Sequence, residues 1–175
     1  EEHPNTNIHV INSLSAGGEV DLIVRKLNQL VAEGLDFDQV VDVITTYQSK
    51  TKLLFVLAKV DNLVKNGRLS KLIGTVVGLL NIRMVGEASK TGTLELLQKA
   101  RGQKKAIKAA FDELIKAGYA GGHITIAHRN NEKFIEQFSA LVREKFAHAM
   151  IEVLPTSGLC SFYAEEGGLL MGYEI

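Results

Sequence analysis

Apolar strand-like runs alternating with amphipathic helical stretches predict an α/β fold, α+β in the broad sense: a mixed β-sheet covered by helices. Three observations carry this. Val20, Ile23, Val24, Leu27, Leu30 and Val31 recur at helical spacing. Leu53 to Ala58 is a short unbroken apolar run between Lys52 and Lys59, as expected of a strand buried on both faces. Ile82–Val85 and Thr93–Leu97 flank the turn-rich Ala88-Ser89-Lys90-Thr91-Gly92, the pattern of a β-hairpin.

In chain order, Glu1 to Asn7 lacks the apolar stretch of a signal peptide and runs into Ile8-His9-Val10-Ile11, which reads as a strand. So abrupt a start points to a piece of a longer polypeptide. The first helix ends where Gly34 stands at its C-terminal cap. Asp36 with Gln39 forms the capping-box pattern for a second helix carrying Val40, Val41, Ile44 and Tyr47. After the buried strand, Val60–Asn66 is a short helix stopped by Gly67. In Leu72–Leu80, Gly74 and Gly78 share one helical face. Close packing of two elements is the simpler reading of that pair, and a ligand groove the other. Beyond the hairpin, Arg101-Gly102-Gln103-Lys104-Lys105 opens a third long helix with Ala106, Ile107, Ala110, Phe111, Leu114 and Ile115 on its apolar side. Ile124–Ala127 is a strand, Asn130 or Asn131 caps a helix running through Phe146, Met150–Leu154 is a strand, and Gly167–Tyr173 a last one.

Composition narrows the function. The 175 residues hold 20 Lys and Arg against 20 Asp and Glu, 46% apolar and 23% charged residues, which suits a folded globular domain. Zero formal charge argues against a general nucleic-acid binder, because phosphate affinity needs accumulated cations. The longest uncharged runs, Leu72–Ile82 and Val153–Ala164, are too short for a membrane-spanning helix. A single cysteine, Cys160, forms no internal disulfide, and a reducing cytoplasm is the simplest compartment.

Catalytic and metal patterns are weak. His123 and His128, five apart on a strand, point to opposite faces, and no HExxH or CxxC occurs, so no metal or cofactor is expected. Ser157-Gly158-Leu159-Cys160-Ser161 resembles a nucleophile elbow only superficially. The Ala16-Gly17-Gly18 turn before a helix offers backbone amides to an anion but lacks a dinucleotide or P-loop fingerprint. Two basic clusters stand out: Lys65, Arg68 and Lys71 around a glycine turn, and Lys99, Arg101, Lys104, Lys105 and Lys108 at a helix start, where cations oppose the dipole. A solvated positive face and a docking patch for an acidic or phosphate-bearing partner explain them equally.

Four segments together resemble the DegV family of fatty-acid-binding proteins. Val10-Ile11-Asn12-Ser13-Leu14-Ser15-Ala16-Gly17 resembles its V-I-D-S-x-S-x-x-G segment, and Leu63-Val64-Lys65-Asn66-Gly67-Arg68-Leu69-Ser70-Lys71 its L-x-x-G-G-R-[IL]-S-K block after a strand. Gly78-Leu79-Leu80-Asn81-Ile82-Arg83 resembles G-x-L-L-x-I-[KR]-P, with Met84 where proline is usual, and Arg101-Gly102-Gln103-Lys104-Lys105-Ala106 the R-x-x-K-A stretch. The resemblance implies a cytoplasmic bacterial protein without enzymatic activity of its own. It would hold one long-chain fatty acid and present it to a separate fatty acid kinase subunit, whose acyl phosphate enters phospholipid synthesis. The family's amino-terminal T-S-x-P-S and S-S-x-L-S-G-T-Y motifs are missing. Residues 1–16 then read as the end of the amino-terminal domain and 17–175 as the carboxy-terminal, acyl-chain-binding domain. Tyr163 stands where the family often has a histidine near the carboxylate; its hydroxyl can donate but cannot be cationic.

With that resemblance, Phe55, Leu57, Ile73, Val77, Leu80 and Ile126 are expected to line an acyl slot, with room left by Gly74 and Gly78 and with Tyr163 at its polar end. Arg68, Lys71, Arg101 and Lys104 are expected to dock the kinase. No nucleic acid and no stable membrane insertion are expected. Two alternatives stay open: a hydrolase or transferase using Cys160 or Ser161 with His128, and a structural fragment that binds nothing.

Overall fold

The computed structural model describes residues 6–69 and 81–175. Ile73, Gly74, Val77, Gly78, Leu80 and Lys71 lie outside the described residues. The elements are α1 (Gly18–Ala32), α2 (Phe37–Gln48), β1 (Thr51–Leu57), α3 (Asp61–Lys65), β2 (Ile82–Ala88), β3 (Leu94–Arg101), α4 (Gln103–Lys116), β4 (His123–His128), α5 (Glu132–Lys145), β5 (Met150–Pro155), α6 (Gly158–Ala164) and β6 (Leu169–Glu174). The strands form one sheet in the order β3-β2-β1-β6-β4-β5. Every pairing is antiparallel except β4 with β5. The sheet is therefore mixed and helix-covered, as the pattern predicts.

Alternation along β1 assigns the two faces. Leu54 and Val56 point into the larger core with Ile124, Ile126, Leu169, Met171 and Tyr173 from the paired strands. α4 and α5 cover it with Ala106, Ala110, Leu114, Phe134 and Phe138. Phe55 and Leu57 point the other way. On that second face α1 lies over β6 and β4, so close that side chains are excluded at the crossing. A Cβ on Gly18 would fall 2.6 Å from the Gly172 backbone nitrogen and strike the Thr125 carbonyl, and one on Gly172 would enter the Glu19 backbone. α2 packs on α1 through Ile23, Leu30 and Ile44, and its capping box is complete, Asp36 Oδ1 accepting from the Gln39 amide at 2.9 Å and Gln39 Oε1 from the Asp36 amide at 3.0 Å.

Several local expectations are corrected. Ile8–Ile11 has no ladder partner among the described residues and takes no strand assignment; Ile8 and Val10 are exposed, and an unpaired strand leaves its backbone groups and apolar side chains to water. Arg101 does not open a helix. It closes β3 opposite Ile82, and Gly102, at φ 82°, makes the turn into α4. α5 stops at Lys145, one residue early, with Phe146 at the cap. Asn131 occupies the position before α5, but its side-chain amide donates to the Gly167 carbonyl at 2.7 Å instead of the side chain capping the helix. α6 was not anticipated: seven residues beginning at a glycine give too little periodicity to read.

Candidate functional site

The second face of β1, β2 and β3 gathers an apolar cluster: Phe55, Leu57, Val60, Leu63, Met84 and Ala164 are buried, with Leu94, Leu96, Leu170 and Tyr163 packed against them. Register explains the grouping, because Leu57 faces Met84, Phe55 faces Gly86 and Leu170, and Gly86 faces Leu96. The β2–β3 ladder shifts register between Val85 and Gly86, where β3 carries Leu97 as an extra residue, and the bare Gly86 leaves a notch filled by the Phe55 ring, whose Cε2 would lie 2.8 Å from any Cβ there.

At one end of this cluster α3 and α6 are tied together. The Asn62 amide donates to Glu165 Oε1 and its side chain to the Phe162 carbonyl, both at 2.8 Å. This places the exposed Arg68 guanidinium over the Tyr163 ring at 5.8 Å, a cation–π contact. Leu159 and Phe162 of α6 stay exposed beside it. At the opposite end β1 and β2 part company: their pairing ends at Leu54–Glu87, and Thr51–Leu53 pairs only with β6. A cavity of about 650 Å³ opens there, with Leu53 and Ala88 among its walls and Glu19, Lys52, Glu87 and Lys90 giving it polar sides. Ser13 and Leu14 complete it, Leu14 reaching Gly92 at the hairpin tip.

Phe55, Leu57 and Tyr163 are thus brought together, and Arg68 joins them through Tyr163. Ile126 is not. It is fully buried on the other face of the sheet, in the core beneath α4 and α5, and cannot share a slot with Phe55. Arg101 and Lys104 are exposed around the start of α4. A second cavity, of about 480 Å³ and lined by Gln103, Lys104, Lys133 and Gln137, lies between the first turns of α4 and α5.

Arg83 enters the sequence analysis only as the [KR] of a family motif, with no site role. It sits on β2 opposite Ala100, its Nε and Nη1 are buried without a hydrogen-bond partner among the described residues, and burial pulls its pKa below the ordinary value. The signal was invisible because an arginine between Ile82 and Met84 reads as the solvent-facing residue of a half-buried strand.

The nucleophile arrangement is not assembled. Ser161 Oγ shares a hydrogen bond with Thr156 Oγ1 at 2.8 Å, while His128 Nδ1 accepts from the Asn131 amide at 3.2 Å. Among the described residues no hydrogen bond joins His128 to Ser161 or Cys160. His123 Nε2 instead faces Glu152 Oε1 at 3.7 Å. No helix among the described residues is long and apolar enough to cross a membrane.

Comparison with known proteins decides the family. The model for the DegV family, described as an uncharacterised protein, matches residues 1–173. The chain belongs to the DegV family. A DegV domain-containing protein of Streptococcus gordonii is 78% identical over the whole chain, which spans 62% of that relative's length. Among solved structures, the Streptococcus pneumoniae fatty acid kinase B3 protein loaded with linoleic acid is 76% identical at a TM-score of 0.97, over 99% of this chain and 62% of that one. A DegV family protein of Eubacterium eligens loaded with heptadecanoic acid is 36% identical at 0.95, over 99% of this chain and 63% of that one. The chain therefore spans about three fifths of the DegV proteins it matches, and the α/β fold is theirs.

Proposed function

We propose that this chain is the acyl-chain-holding part of a fatty-acid-binding DegV protein, which presents its ligand to a separate kinase subunit and performs no chemistry itself. The observation that carries the reading is the 76% identical pneumococcal structure with linoleic acid bound. The physical support within this chain is the buried apolar cluster around Phe55, Leu57, Met84 and Leu170, because a dry slot stabilises each buried methylene by about 0.8 kcal/mol. Residues 17–175 are the acyl-binding domain in this reading, and 1–16 the end of a preceding one. Tyr163 and Arg68 mark the polar end, Arg68, Lys71, Arg101 and Lys104 face the kinase, the location is cytoplasmic, and no cofactor takes part.

Native mass spectrometry of the full-length polypeptide, followed by organic extraction, tests this. The expected result is a complex that loses the mass of one fatty acid on extraction. A mass equal to the polypeptide alone, with no acyl chain in the extract, refutes it.

A further inference from the structure

Phe55 stands at the middle of β1 with its ring fully buried in the Gly86 notch. Toward one end of the same face, Leu57 and Met84 lead on to Leu63, Ala164 and the Tyr163–Arg68 pair. Toward the other, the next side chain on that face is Leu53, a wall of the cavity of about 650 Å³ that opens where β1 and β2 separate. Ala88, one pleat beyond Gly86 on that face, is a wall of the same cavity. The ring therefore stands between an apolar cluster with a polar end and a cavity at the far end. Nothing else on β1 divides the two, since Thr51, Leu53, Phe55 and Leu57 are the residues of that strand on this face.

Resting on the fatty-acid reading above, we propose that Phe55 is the residue that sets acyl-chain length. A chain laid along β1 from the Tyr163 end meets the ring, and methylenes beyond it have no dry surface to occupy. Removing the ring joins the cluster to the cavity. Longer chains then gain burial that the wild-type protein denies them, while shorter chains lose a packing surface.

The full-length wild type, Phe55→Ala and Phe55→Leu are each offered a mixture of straight-chain saturated fatty acids of graded length. Bound acids are then extracted and quantified by mass spectrometry. Phe55→Ala is expected to shift the bound distribution longer, by up to about six carbons, the number of ring atoms removed, with Phe55→Leu intermediate. Adding Ala88→Leu to Phe55→Ala puts a branched side chain on the wall where the cluster would open into the cavity and is expected to reverse the shift; a purely structural role for Phe55 would not produce that reversal. An unchanged or shortened distribution in a variant whose circular dichroism matches the wild type overturns the proposal, and if Phe55→Ala fails to fold, Phe55→Leu alone decides. A wild type that binds no fatty acid refutes the parent reading, whereas a loaded wild type with unresponsive variants refutes only the role of Phe55.

Discussion

Two halves of one sheet face are closed in opposite ways. Over β6 and β4, α1 meets the strands backbone to backbone at Gly18 and Gly172, with no layer of side chains at the crossing. Over β1, β2 and β3 the same face is filled by Phe55, Leu57, Met84 and Leu96, with one glycine, Gly86, making room for a ring. The first closure has nothing to rearrange, since neither backbone can yield by changing rotamer. The second consists of side chains that can turn, and only there can a flexible ligand be exchanged for protein contacts. Glycine thus locks one half of the face and makes the other adjustable.

The largest expected effect tests the locked half. Gly172→Ala drives a methyl into the Glu19 backbone and is expected to cost about 3 kcal/mol or more in urea unfolding. Phe55→Leu, on the adjustable half, should cost about 1.5 kcal/mol, because leucine removes only part of the buried ring volume and stays apolar. Equal losses would erase the contrast.

Alkaline pH sharpens it. The Tyr47 hydroxyl donates to Glu174 Oε1 at 2.8 Å and so pins α2 to the end of β6; burial first, then that carboxylate, raises its pKa. Tyr119 is pushed up to about 12, by burial and then by Glu174. The folded state keeps these protons while the unfolded chain releases them from about pH 10, so stability is full below that value and falls as pH rises toward about 12. Thermal midpoints measured across that window should decline, and Tyr47→Phe should flatten the slope. A midpoint independent of pH there would mean that these hydroxyls are not held in the fold. The smallest effect belongs to the helix outside both halves: Asp36→Ala removes the α2 capping box and should cost about 1 kcal/mol in urea unfolding.

The amphipathic helices α1 and α2 were legible because period and caps agree, and β1 because its apolar run is bounded by lysines. Sidedness was not. β1 is apolar on both faces from Leu53 to Leu57, and in β4 the one interior polar residue, Thr125, is itself fully buried, so residue type does not show which way Phe55 and Ile126 point relative to each other; only the ladder, pairing Ile126 with Met171 and Phe55 with Leu170, separates them. The polar end was legible as residue types, Arg68 and Tyr163, but not as a contact. It depends on α6, which is too short to show a period, and on a bond from Asn62 to Glu165 that spans more than half the chain.

The order of the strands has a consequence for how the molecule is made. β1 lies between β2 and β6, and its ladder to β6 joins Thr51 to Glu174. The central seam therefore cannot close until the last of these residues has left the ribosome, and α1 waits as long for Gly172. Until then β1 and β4 present bare edges to solvent or to a chaperone. So large a sequence separation at the centre of a sheet places this domain among slow folders, assembling over milliseconds to seconds, and a nascent chain stalled before Leu169 would carry its helices with no completed sheet to bind them.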